Sequence, residues 1–183
     1  MVEVINKTPT IELIFELVKF TYEVKSAIGQ FNFPINRDFT DQKKYCSTNT
    51  LKVYGKNIGS VFADYVNCFI EVPVSILHEN DYDFIDTILN NGVEYKRLFC
   101  DNTIREIKDF EHFGSFTTKK YWPSRYDPIL PEVQLKFEEI KLKSNVFFGN
   151  EEIFWEVYAD NSTKRRGSII MSKIKTDNKE QKD

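Results

Sequence analysis

Apolar and charged residues between positions 8 and 28 alternate with the spacing of a helix. Four of these charged residues are separated by four, three and four positions: Glu12, Glu16, Lys19 and Glu23. At 100° per residue these side chains share one narrow face, and apolar side chains cover most of the remaining circumference. The pattern therefore predicts a long N-terminal helix over residues 8–28 that packs on more than one side.

Period-two alternation predicts that much of the remaining chain is β-structure. The clearest strand covers residues 66–76, where every second residue is apolar. Pro73 lacks a backbone N–H, which favours an edge strand or a bulge at that point. Further strands are expected at 51–54, 93–100, 133–142, 145–148, 152–158 and 168–174. Gly149 and Asn150 suit a tight turn between two of them.

Two shorter helices are predicted, at about 82–91 and at 104–110, from their apolar stripes and flanking cap residues. The stretch 30–50 is polar and irregular, and three prolines within nine residues predict a structured loop over 113–131. These segments predict an α+β fold, with the N-terminal helix packed on a mainly antiparallel sheet.

A single globular domain is expected over residues 1–174, with the loop 113–131 as the only candidate sub-boundary. The residues that follow, 175–183, are almost wholly polar and are predicted to form a disordered tail.

The composition is that of a globular protein. The chain has 183 residues, of which 41% are hydrophobic and 29% charged, and the 16 phenylalanines permit a sizeable core. A net charge of −3 gives no general attraction to nucleic acid or to anionic membranes. No apolar run approaches the roughly 20 residues that a membrane-spanning helix needs, and no signal peptide is visible, so the cytoplasm is expected.

Three cysteines occur, an odd number at long spacings, which favours buried free thiols over disulfides or a zinc site. Neither a metal site nor a cofactor is predicted on this basis. The 19 lysines against 6 arginines, together with plentiful asparagine and isoleucine, indicate AT-rich coding, as in a low-GC bacterium or its phage.

One segment combines aromatic rings and cations on a predicted loop. Its members are Lys119, Lys120, Tyr121, Trp122, Arg125 and Tyr126. Rings offer faces on which bases stack, and cations pair with phosphates, so this loop is the candidate surface for a single-stranded nucleic acid. A protein is the other candidate partner for this surface. Alternatively, Trp122 and one of the tyrosines anchor the loop to the core, and the cations are merely solvated.

Glu94 and Lys96 lie on the same face of a predicted strand. With an upstream aspartate they would resemble the carboxylate–lysine pattern of metal-dependent nucleases, in which Mg²⁺ is held by the acids. Asp81, Asp83 or Asp86 could supply that aspartate. The Glu-x-Lys pattern occurs at four other places in this chain, so it is also expected by chance.

Arg105 and His112 form the second candidate catalytic pair, separated by a distance that some metal-independent ribonucleases use. A surface imidazole is the simpler interpretation of His112.

The leading hypothesis is a non-enzymatic binding or interaction protein of the cytoplasm, with a protein or a single-stranded nucleic acid as its partner. A small nuclease is the alternative, with Mg²⁺ as a cofactor only in its metal-dependent form. A subunit of a larger assembly, in contact through helix 8–28 or an edge strand, is the third. The strings RYDPILP (125–131) and FWEVYADN (154–161) are distinctive in composition but point to no activity.

Overall fold

The computed structural model contains two β-sheets that pack face to face. It describes residues 8–24, 44–78, 84–101, 103–104, 107–113, 116–121, 125–126, 128–144, 147–160 and 162–180. The strands are β1 Ile11–Val24, β2 Lys44–Asn57, β3 Asn67–Pro73, β4 Asp86–Asn90, β5 Val93–Asp101, β6 Thr103–Ile104, β7 Ile107–Phe113, β8 Phe116–Tyr121, β9 Arg125–Tyr126, β10 Gln134–Leu142, β11 Glu152–Tyr158, β12 Arg165–Ile170 and β13 Lys175–Glu180. Short 3₁₀ turns cover Val74–Ile76 and Met171–Lys173.

The prediction of an N-terminal helix over residues 8–28 is wrong, because the described part of this segment is the 14-residue strand β1. The four charged residues that mimicked a helical face divide between the two faces of the strand. Glu12 and Glu16 share one face, and Lys19 and Glu23 share the other, since side chains alternate along a strand. The α+β fold class is therefore wrong, and the fold is mainly β.

The first sheet has the strand order β10-β2-β1-β13. The long strands β1 and β2 are antiparallel along their full lengths, from Ile11 opposite Asn57 to Val24 opposite Lys44. Strand β13 runs parallel to β1, so the prediction of a disordered tail from residue 175 is wrong. Backbone pairing to β1 orders these residues although they are polar, because they need no apolar side chain to pair.

The second sheet has the strand order β12-β11-β3-β5-β4. The strand predicted at 66–76 is confirmed over Asn67–Pro73, whereas Val74–Ile76 form a 3₁₀ turn. Strand β3 is central in its sheet and Pro73 is its last residue, so the prediction of an edge strand is wrong. The described part of the predicted helix at 82–91 is instead strand β4, which turns into β5 through Asn91 and Gly92. Both of these residues have positive φ, of 49° and 79°, as a two-residue hairpin turn requires.

Two smaller strand pairs lie between β5 and β10 in the chain. Strand β6 pairs with β9, and β7 pairs with β8. The prediction of a helix at 104–110 is wrong where the chain is described. The predicted loop over 113–131 is wrong at 113, 116–121 and 125–126, which are strand, whereas residues 128–131 do form a loop. The predicted strand at 145–148 is absent at 147–148, and its first two residues lie outside the described part.

The core lies between the inner faces of the two sheets. It contains Ile11, Leu13, Phe15, Leu17, Leu51, Val53, Ile140 and Leu142 from the first sheet and Cys68, Ile70, Val72, Leu98, Cys100, Ile153 and Val157 from the second. Alternate residues of each strand supply these side chains, as in other sandwiches. Within the described part of the chain, no helix is long and apolar enough to cross a membrane.

Candidate interaction site

The structure describes only some residues of the first candidate nuclease site, which consists of Glu94, Lys96 and an upstream aspartate. Lys96 lies opposite Thr87, and its ammonium donates to the Thr87 hydroxyl at 2.6 Å. Asp86 precedes Thr87 on the same strand and lies opposite Arg97, so its side chain leaves the other face of the sheet from Lys96. Asp86 therefore does not complete a site with Glu94 and Lys96. Asp81 and Asp83 lie outside the described residues.

The described residues contain no group of three or more His, Cys, Asp or Glu side chains placed to hold a metal ion. His112 lies on β7 opposite Thr117 rather than on a helix, and Arg105 lies outside the described residues. The helix predicted for this segment therefore does not bring Arg105 and His112 together, and their pairing stays a prediction.

The predicted aromatic-basic loop belongs largely to strands. On β8, Lys119, Lys120 and Tyr121 lie opposite Phe110, Asp109 and Ile107. On β9, Arg125 and Tyr126 lie opposite Ile104 and Thr103, and Trp122 lies outside the described residues. The segment then leads, through Pro128, into a second surface that sequence reasoning did not identify.

That second surface is formed by two loops that pair with each other. Ala63 and Ile129 exchange both backbone hydrogen bonds at 2.9 Å, and both side chains are fully buried. Phe62 and Leu130 are the neighbours of this isolated antiparallel bridge on the same side of it, one on each loop. Their side chains leave the opposite side and are 56% and 54% exposed.

Three more large apolar side chains on the same two loops are exposed. They are Ile58, Tyr65 and Val133. The five side chains, carried by residues 58–66 and 128–133, are called the apolar tip below. Exposed apolar patches of this kind are typical of interaction sites, whereas single exposed apolar residues need no explanation.

Asn57, the last residue of β2, holds the two loops together. Its side-chain amide donates to the carbonyl oxygens of Val61 at 2.7 Å and Ile129 at 2.8 Å. Its side-chain oxygen accepts from the backbone N–H of Gly59 at 2.9 Å. Asn57 has no exposed surface, and its bond to Ile129 is fully buried, where a hydrogen bond is most valuable, whereas the bonds to Val61 and Gly59 are partly buried.

The backbone of Asn57 adds further bonds to the second loop. Its N–H donates to the carbonyl of Val133, and its carbonyl accepts from the N–H of Glu132. The turn from Leu130 to Val133 is closed by a hydrogen bond of 3.1 Å, with Pro131 second and Glu132 third. Glu132 has a φ of 63°, as the third residue of a type II turn requires.

The first loop is fastened at several further points. The carbonyl of Asp64 accepts from the N–H of Asp160, in the connection between β11 and β12. The carbonyl of Tyr65 accepts from the side-chain amide of Asn67 at 3.0 Å. Gly59 passes so close to the chain before β1 that a Cβ there would lie 2.7 Å from the nitrogen of Thr10. The tip therefore presents apolar side chains on a backbone that is already fixed.

Charges of both signs surround the tip. Lys56 and Glu132 form an ion pair at 2.8 Å, and the hydrogen bond that the Lys56 ammonium donates to this carboxylate raises the pKa of Lys56. Asp64 and Asp160 lie in the adjoining loops, and the guanidinium of Arg165 donates to the carbonyl of Ile11 at 3.0 Å. The rim thus has no dominant sign.

The sequence contained a weak signal for this surface. Pro128 and Pro131 enclose two large aliphatic residues within a polar segment, in the string RYDPILP. A loop that retains such residues usually buries or uses them. Of these two residues, Ile129 is buried and Leu130 is exposed. The sequence does not distinguish them, because the difference results from the backbone pairing of Ile129 with Ala63.

The sequence matches no protein-family model. A search of curated proteins likewise finds no match, so the function is argued from the geometry of the chain itself.

Proposed function

We propose that this protein is a binding module that docks a protein partner on the apolar tip. The observation that supports this most directly is the exposed pair of Phe62 and Leu130 on two loops fixed by the buried Asn57. We propose that strand β9, Arg125–Tyr126, borders the same interface, because the chain continues from β9 through Pro128 into the tip.

Burial of the tip against a partner would be favourable. A large apolar side chain contributes roughly 1.5–3 kcal/mol when it is fully removed from water. Because several hydrogen bonds already fix the loops, little conformational entropy remains to be lost on binding. An aromatic residue surrounded by aliphatic ones, with polar groups outside, is the usual anatomy of a protein interface.

The rim favours a protein partner over a membrane or a nucleic acid. Anionic lipid and phosphate backbones attract surfaces on which cations predominate. Asp64, Glu132 and Asp160 place carboxylates beside the tip, whereas a folded partner can match both signs of charge.

We also propose that the module acts in the cytoplasm. Cys68 and Cys100 are buried free thiols, and Cys46 is a half-buried one. Free thiols persist most readily in a reducing compartment.

Site-specific photo-crosslinking in the native cell tests the proposal. p-Benzoylphenylalanine replaces Phe62 in one variant and Thr48 in a control variant, because Thr48 is exposed on the outer face of the first sheet. We expect position 62 to give a discrete protein adduct that position 48 does not give. The adduct should disappear when Leu130→Ser is added and persist when Leu89→Ser is added, since Leu89 is an exposed leucine on β4.

Other outcomes contradict the proposal. A lipid or nucleic-acid adduct at position 62 assigns the tip to another class of partner. Equal adducts at positions 62 and 48, or no adduct at either, mean that the tip is not a docking surface. An adduct with a second copy of the chain makes the tip a self-association surface, which overturns the proposal of a separate partner.

A further inference from the structure

A recess lies further along β1 and β2, away from the apolar tip. It begins at Asn49, eight residues along β2 from Asn57, which holds the loops of the tip. Up to Leu17 the inner face of β1 is apolar, and beyond it the same face carries Lys19, Thr21 and Glu23. The residues opposite on β2 are also polar, with Asn49 facing Lys19 and Ser47 facing Thr21. The inner face of the first sheet therefore changes from core to a polar surface within one strand.

This polar surface forms one side of a cleft of about 370 Å³. The described residues that line it are Leu17, Lys19, Asn49, Phe147, Phe148, Met171, Ser172, Ile174, Thr176 and Asn178. The sheet supplies mostly polar groups, and the 147–148 segment and the 3₁₀ turn at 171–173 supply mostly apolar ones. The cleft, called the amphipathic cleft below, is within the size range of small-molecule sites.

Lys19 is the one charged residue among the described residues that line the amphipathic cleft. Its ammonium lies 5.6 Å from the ring centre of Phe147, and this ring is 93% exposed. Within the described part of the chain, Lys19 forms no ion pair. The attraction between a cation and an exposed aromatic ring is weak, so an anionic ligand can displace the Lys19 ammonium from the ring of Phe147.

We propose that the amphipathic cleft binds a small organic monoanion with an apolar body. The anionic group pairs with Lys19, where Asn178 and Thr176 supply further hydrogen-bonding groups. The apolar body packs on Phe147 and Phe148, which line the same space and are exposed and half-buried, whereas Leu17 and Met171 are almost fully buried behind it. This division of polar and apolar walls fits a ligand that is polar at one end only.

The charge of the ligand is limited by the next row of the sheet. Glu180 lies opposite Thr21, two residues along β1 from Lys19 and therefore roughly 7 Å away along the strand. Glu23 lies one row further on the same face. These carboxylates would repel a second negative charge at that end of the cleft, which favours a monoanion over a phosphate-rich ligand.

Titration with benzoate, followed by amide resonances in ¹⁵N-labelled protein, tests the proposal. Benzamide is the matched neutral probe, since it has almost the same shape. We expect benzoate to shift the amides of Lys19, Asn49, Thr176 and Asn178 in a saturable way, and benzamide to bind about ten-fold more weakly, the loss expected for a charge-assisted hydrogen bond.

Two lysine variants supply the control. Lys19→Gln should weaken benzoate binding about ten-fold. Lys175→Gln should leave it unchanged, because Lys175 lies opposite Glu16, on the other face of the same sheet. An unchanged dispersion of the amide spectrum shows that each variant is folded.

Equal affinity for benzoate and benzamide would overturn the proposal. So would equal losses in the two lysine variants, or shifts confined to residues outside the cleft. The proposal is independent of the apolar tip, and Leu130→Ser should leave benzoate binding intact.

Discussion

The side-chain amide of Asn57 donates a hydrogen bond of 2.8 Å to the backbone carbonyl of Ile129, 72 positions later in the chain. This bond joins the loop after β2 to the loop before β10, and both loops present the exposed side chains of the apolar tip. A side chain that is fully buried, rather than the exposed residues themselves, thus determines the shape of the surface.

We expect Asn57→Ala to lower the free energy of unfolding by about 3 kcal/mol. The change leaves the carbonyls of Val61 and Ile129 and the N–H of Gly59 without their partner. An unsatisfied buried group costs roughly 1–3 kcal/mol, which applies in full to the buried Ile129 carbonyl and in part to the two partly buried groups. Urea unfolding measures the effect. Asn49→Ala is the matched control, since Asn49 is also buried but donates only to the carbonyl of Lys143. Equal losses in the two variants would contradict the role given to Asn57.

Gly59→Ala should also destabilise the fold, by roughly 1–3 kcal/mol, because its Cβ would lie 2.7 Å from the nitrogen of Thr10 and 3.0 Å from the carbonyl oxygen of Thr8. Gly149→Ala is the control, since only a carboxylate oxygen of Glu151 lies near its Cβ, at 3.8 Å. Thermal unfolding should show a lower Tm for the first variant alone. If the two variants have the same Tm, the close approach of the backbone at Gly59 does not constrain the loop.

Truncation after Ile174 tests the role of β13. We expect the shortened chain to be less stable and to aggregate, because removal of β13 exposes the edge of β1. Removal of residues 181–183 alone is the control and should change neither property. Light scattering and urea unfolding distinguish the outcomes, and a fully stable chain ending at Ile174 would show that β13 adds nothing to the sheet.

The sequence pattern predicted a strand where only one strand face is apolar, and it failed where both faces carry apolar residues. Strand β3 alternates strictly and was predicted, because its core face is Cys68, Ile70 and Val72. Strand β1 was predicted as a helix because apolar residues such as Ile14 and Val18 also occupy its other face, where Val18 is buried. Long strands with apolar residues on both faces satisfy helical and strand periodicities equally well.

The candidate site was less predictable than the fold. Aromatic and basic residues were visible as a cluster at 119–126, but the exposed pair of Phe62 and Leu130 depends on the contact between Ala63 and Ile129. Such long-range pairing is a tertiary property that local composition does not encode. The same applies to the amphipathic cleft, because the sequence pattern places Lys19 only on the narrow charged face of a predicted helix.

The three cysteines should differ in reactivity towards a thiol reagent. Cys68 and Cys100 lie opposite each other on β3 and β5 and are buried, whereas Cys46 is half-buried near the start of β2. We expect 5,5′-dithiobis(2-nitrobenzoic acid) to modify one thiol quickly in the native protein and three in urea. Rapid modification of all three in the native protein would contradict the burial of the pair.

Stability should fall as the pH rises from about 9 towards 12. Burial raises the pKa of Cys100 to about 12 and that of Cys68 well above its ordinary value of 9.0. Below pH 9 both thiols are protonated in the folded and the unfolded chain, so their contribution is intact. Above pH 9 the unfolded thiols ionise first, which favours unfolding by about 1.4 kcal/mol per pH unit for each thiol.

Urea unfolding between pH 8 and pH 11 measures this slope. Cys100→Ala should lose stability less steeply with pH than the wild-type protein, whereas Cys46→Ala should retain the wild-type slope. Identical slopes in all three proteins would show that the buried thiols do not contribute.

The most direct test of the apolar tip is a comparison of two exposed leucines. Once the protein cross-linked at position 62 has been identified and purified, calorimetry gives its Kd for the wild-type chain, for Leu130→Ser and for Leu89→Ser. We predict that Leu130→Ser raises Kd about ten-fold or more, in keeping with the roughly 1.5–3 kcal/mol of a buried leucine, and that Leu89→Ser leaves Kd unchanged. Equal Kd values for the wild type and Leu130→Ser would contradict the assignment of the tip as the docking surface.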